Sequence, residues 1–197
     1  MTDFGTFACA VILLLATPGP TNTLLAASGA AIGLRRSLRL IPAEVAGYLL
    51  SVSLLLTIAG PQMAAFPILG VSVKLAACLY LMRAAVALWR DSHASLTEEQ
   101  SIAPPGRVLA TTLLNPKGFF FAFTIFPSAP TSELGPWLKL FAILIAFVGF
   151  GWILLGALIA RSVGQTITTP RISRASAVVL ALFATMLARS AFAAGSS

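Results

Sequence analysis

From Phe4 to Leu34 the chain carries no charged residue, and from Val45 to Val73 it carries none again. A membrane-crossing helix needs about 20 predominantly apolar residues, because the hydrocarbon core is about 30 Å thick. Both runs exceed that length. The second is interrupted by Gly60, Pro61, Pro67 and Gly70 and reads as parts of two spans. Hydrophobic residues make up 58% of the chain and charged residues 10%, against roughly 25% charged in a soluble domain. These features predict an integral membrane protein with very little soluble mass. Asp3 is the only charge before Arg35, so the start lacks the basic region of a signal peptide and reads as a retained first span.

The spacing predicts an all-α polytopic protein with six spans, near 4–33, 40–59, 70–89, 107–127, 138–160 and 175–194. The net charge of +7 comes from basic residues scattered through short loops. That pattern suits membrane topology rather than nucleic-acid binding. Arg35, Arg36 and Arg39 follow the first span, the third loop runs from Arg90 to Arg107, and Arg161, Arg171 and Arg174 follow the fifth. The second loop has no basic residue, and the fourth carries Glu133. Lys and Arg favour the cytoplasmic side, so both termini are expected outside the cytoplasmic membrane. Three spans per half force the halves to insert with opposite orientation, the inverted-repeat plan of many secondary transporters. A single transmembrane domain is expected, with halves at 1–90 and 107–197. The polar segment 91–106 is read as a cytoplasmic linker.

Two spans are broken in the middle by proline beside asparagine. The first break reads Thr17-Pro18-Gly19-Pro20-Thr21-Asn22 and the second Asn115-Pro116-Lys117-Gly118. Proline removes an amide donor and clashes with the preceding turn. In lipid such a break is tolerated only where protein or a water-filled cavity satisfies the freed groups. Paired breaks in two halves point to a transport site. At the first, the restarting helix offers bare amides suited to a carboxylate, with Thr17, Thr21 and Asn22 adding polar side chains; the plain alternative is a packing kink. At the second, Asn115 stands beside Lys117, which either faces a cavity or snorkels to the interface. Phe119, Phe120, Phe121 and Phe123 cover too many faces to form one stripe, and are expected to pack or meet lipid.

Glu44 is the one acidic residue inside an expected span. An intramembrane carboxylate is functional by default, which makes Glu44 the candidate proton carrier, with Arg83 as a partner in the interior. The competing reading pairs Glu44 with Arg39 at the interface. Gly29 and Gly33 form a small-xxx-small pair suited to close helix packing. Gly149, Gly151 and Gly156 match no dinucleotide fingerprint, and no Walker loop is present. His93 has no metal-ligand partners in register, and no nucleophile has a base beside it. No cofactor, metal or enzymatic activity is expected. The rival readings are a thiol-redox conduit through Cys9 and Cys78, and a passive channel.

The motifs resemble those of the LysE/RhtB family of bacterial amino-acid exporters. The resemblance rests on Thr17-Pro18-Gly19-Pro20-Thr21-Asn22 with Gly29 and Gly33 behind it. It extends to Lys74-Leu75-Ala76-Ala77-Cys78-Leu79-Tyr80-Leu81, and to Leu114-Asn115-Pro116-Lys117 with Phe119 to Phe121 and Pro127. It covers essentially the whole chain. It implies export of an amino acid or related small metabolite, by proton exchange, across a bacterial inner membrane. The expected partners are that small molecule and the lipid bilayer, and a homo-oligomer is compatible with it. The substrate-binding residues implied are Thr17, Pro18, Gly19, Pro20, Thr21, Asn22, Asn115, Pro116 and Lys117.

Overall fold

The computed structural model describes residues 3–59, 103–127 and 129–163, with isolated helical positions between 72 and 185. Every regular element among them is helical. Most of the third span, the sixth span, linker residues 91–102, Lys74, Cys78 and His93 lie outside the described residues. Packing divides the chain into two compact units, 1–53 with 95–167 and 54–94 with 168–197. The second unit is described only at the end of the second span, including a π-helical turn Leu55–Ala59, and at isolated positions. The first unit holds all the elements that follow.

Helix α1, Phe4–Ala16, begins at Asp3, whose carboxylate accepts from the Thr6 amide and hydroxyl, each at 2.8 Å. Those bonds hold the exposed Asp3 carboxyl below the usual carboxylate range. The helix stops at Thr17 because Pro18 cannot continue the amide ladder. Helix α2, Pro20–Ser37, restarts at once: Pro20 occupies the first helical position, where its missing N–H is no loss. Inside α2, Gly33 has φ +78°, a conformation that favours glycine. The chain turns there and passes through a 3-10 turn, Leu38–Leu40, into α3, Ile41–Leu54.

Residues Pro20–Ile58 form a run of 39 apolar-rich helical residues. At about 1.5 Å per residue this is far longer than a core about 30 Å thick, and the Gly33 turn divides it as the basic loop after the first span requires. Gly33 therefore serves as a turn, and no neighbouring atom among the described residues lies within 4 Å of where its Cβ would be.

Helix α4, Pro105–Leu113, again starts with proline at its first turn. Asn115 and Pro116 end it, and α5, Lys117–Phe120, continues into a π-helical turn, Phe121–Ile125. The two arms, Pro105–Leu113 and Lys117–Ile125, are bent by 52°. Helix α6, Gly135–Val163, is unbroken over 29 residues. Pro20–Ile58 and Gly135–Arg161 are long and apolar enough to cross a membrane, and the bent pair makes a third such element. Large apolar residues such as Leu13, Leu50, Ile143 and Phe147 are exposed, as suits surfaces that meet lipid tails.

Helix α2 lies along α6, and α1 packs on α6 as well. The α2–α6 contact is backbone on backbone. A Cβ on Gly29 would overlap the Ile153 carbonyl oxygen, and one on Gly156 would overlap that of Ala26. Small residues let helices approach this closely where lipid removes the hydrophobic drive to associate. Two apolar layers result. One is aliphatic, built on Leu25, Leu40, Val108 and Ile153. The other is aromatic: Phe7 packs edge-on to Phe126 and Trp137, and Phe141 to Phe121 and Phe126. Leu40, just before α3, belongs to the first layer, and Tyr48 of α3 touches Phe121 and Phe141 of the second. Glu44 lies between them.

Candidate functional site

The first break leaves the Leu15 and Thr17 carbonyls without helical donors. Side chains from three helices replace them. Asn22 of α2 donates through Nδ2 to Leu15 O at 2.7 Å and to Thr17 O at 2.8 Å. Lys117 Nζ of α5 donates to Thr17 O at 2.6 Å, and Trp152 Nε1 of α6 to Leu15 O at 3.4 Å. Both amide protons of Asn22 are therefore committed to the break, so this residue shapes the site and does not offer free donors to it. Gly19 is buried and leaves room for the lysine: a Cβ there would stand 3.3 Å from Lys117 Cε. Thr17 directs its hydroxyl to Leu14 O at 2.6 Å.

The second break is tied to the first by a buried polar chain. Asn115 Nδ2 donates to Thr21 Oγ1 and to the Tyr48 hydroxyl, each at 3.1 Å. Its Oδ1 accepts from the Lys117 amide at 3.1 Å and so starts α5. Thr21 and Thr112 hydroxyls are 3.2 Å apart. Thr112 donates its proton to Val108 O at 2.7 Å, so the Thr21 hydroxyl is the donor between them. Buried polar groups of this kind hold their geometry only when each finds a partner.

Glu44 lies 1% exposed beside this chain, one helical turn before Tyr48. Its Oε2 has no hydrogen-bond partner among the described residues. It lodges against α6 where Gly149 has no side chain: a Cβ on Gly149 would overlap Glu44 Oε2. Lys117, 2% exposed, is the opposite charge that acts on it. Burial of both decides two readings left open by sequence. Lys117 does not snorkel, and Arg39 is exposed while Glu44 is not. Arg83 is exposed and belongs to the second unit. Pro18 and Pro20 are part-buried, Pro116 is buried, and Cys9 is a free, exposed thiol.

Tyr48, Thr112 and Trp152 were not singled out by the sequence, and Gly149 was weighed only against a dinucleotide fingerprint that it does not match. Tyr48 follows Glu44 by one turn and Thr112 precedes Asn115 by one turn, so helical spacing pointed to both. Nothing in the sequence pointed to the roles of Gly149 and Trp152, which come from α6.

The family model of the LysE type translocator matches residues 12–191, nearly the whole chain and both breaks. The chain belongs to the LysE type translocator family. It is a membrane transport protein. No curated protein and no solved structure matches it.

One consequence for this LysE type translocator concerns Asn22. Asn22→Ala removes two bonds from buried carbonyls that keep one donor each. Leaving such groups short of partners costs about 1–3 kcal/mol. The variant should unfold at a temperature about 3–10 °C lower in detergent, and an unchanged midpoint would remove Asn22 from the break.

Proposed function

We propose that this translocator is a secondary exporter of an amino acid or related small metabolite, driven by proton exchange across a bacterial inner membrane. Six spans in two inverted halves, with both termini outside, are the architecture of that reading. The observation that carries it is the direct tie between the two broken spans: Asn115 of one bonds Thr21 of the other at 3.1 Å, and Lys117 of one bonds Thr17 of the other at 2.6 Å. Interrupted helices that converge on a shared polar centre are where transporters of this plan bind substrate.

In this reading a substrate carboxylate meets the start of α2 at Thr21, with Asn115 and the remaining N–H groups of Lys117 as the second pole. Residues 17–20 and Pro116 supply the open backbone, and Asn22 holds it in shape. Glu44 takes up the proton, and its occupancy biases the inward- and outward-facing states. Arg83 is its partner in this reading.

Cells overproducing the chain should resist a subset of toxic amino-acid analogues and export the corresponding amino acid. Glu44→Gln should abolish the pH-driven part of that efflux, at least ten-fold, while inserting normally. Full pH dependence in that variant would take Glu44 out of the mechanism, and wild-type efflux in Asn115→Ala would take the site with it.

A further inference from the structure

A lysine in the middle of a span is expensive unless something in the protein compensates it. Lys117 crosses from α5 to the end of α1, 100 residues away in sequence, and donates to the Thr17 carbonyl at 2.6 Å. Thr17 is the residue at which α1 stops. The carbonyl end of a helix carries partial negative charge. Where a span is broken, such carbonyl ends are the groups that coordinate small cations in transporters. The lysine is directed there by its surroundings. Asn115 Oδ1 fixes its amide at 3.1 Å, and Gly19 leaves the space its Cε and Nζ occupy.

We infer that the Lys117 ammonium is a tethered cation, filling a monovalent-cation site at the carbonyl end of α1 and holding the two broken spans together where a free ion would otherwise be needed. The site takes a single positive charge that can donate a hydrogen bond, so ammonium and methylammonium are the ions closest to it in chemistry, with Na⁺ a poorer match. The inference does not depend on what is transported, nor on proton coupling at Glu44. Its consequence for the intact protein is that no free cation is required at this break.

The test is thermal unfolding of the purified full-length protein in detergent, at neutral pH and constant ionic strength. Choline chloride is replaced stepwise by ammonium, methylammonium or sodium chloride. The wild-type midpoint should not respond to the replacement. Lys117→Ala should unfold at a lower temperature in choline and recover about 5 °C or more in ammonium or methylammonium, saturating as binding to one site requires. A Lys117→Ala protein as indifferent to these ions as the wild type, or a wild type that responds equally, would overturn the inference. Should the variant not be obtained folded in choline, its recovery in an ammonium buffer is the supporting result; recovery in neither buffer counts against the proposal as fully as an absent shift.

Discussion

Gly156→Ala should destabilise the protein by up to about 2 kcal/mol net, while Gly151→Ala on the same helix should leave it unchanged or slightly more stable. By helix propensity alone both changes favour folding, by about 1 kcal/mol. They differ in what the new methyl meets. At Gly151 no neighbouring atom among the described residues lies within 4 Å, whereas at Gly156 the methyl would overlap the Ala26 carbonyl oxygen. A backbone carbonyl in the middle of α2 cannot rotate aside as a side chain can. The helices must separate, loosening the matching contact of Gly29 with Ile153. Overpacking of this kind typically costs 1–3 kcal/mol. The difference between the two variants should appear as a midpoint about 5–10 °C apart in detergent. Equal midpoints would mean that α2 and α6 do not meet backbone to backbone.

Gly149→Ala should have the largest effect on transport. Its methyl would take the place of Glu44 Oε2, which already has no hydrogen-bond partner among the described residues. The flexible Glu44 side chain would have to swing off α6 at modest cost to packing, and the pH-driven efflux proposed for it should be lost. Adding Glu44→Ala in the same chain should return stability, because the second change removes the group that collides. It should not return pH-driven efflux. Coupling between two residues in contact is expected at about 0.5–3 kcal/mol. Strictly additive effects of the two substitutions on the unfolding midpoint would show that Gly149 and Glu44 are not neighbours.

Much of this arrangement was legible in the chain. Apolar stretches separated by charged loops pointed to the helices found within the first, second, fourth and fifth expected spans, because lipid and water impose opposite demands on side chains. The two proline breaks stand where expected, since a missing amide donor interrupts a helix whatever surrounds it. Other points were not legible. Gly29 and Gly33 share one spacing, but Gly29 packs against Ile153 of α6, and Gly33 turns the chain. Lys117 had two equally good destinations until the position of Thr17 was known. Asn22 looked like a free ligand, yet its two amide protons go to Leu15 and Thr17.

By itself, then, the order of residues determined that this chain lives in a membrane, where its helices run and where two of them must break. Those outcomes depend on local chemistry: apolar length, charge placement and the geometry of proline. Only the tertiary structure decided which freed carbonyl meets which donor. It brought Lys117 to Thr17, Asn115 to Thr21 and Tyr48, and Glu44 to a gap on α6. The reason is physical. A hydrogen bond made across some 100 residues is set by how helices pack, and glycine spacing alone does not say which glycine opens a space, or for which neighbour.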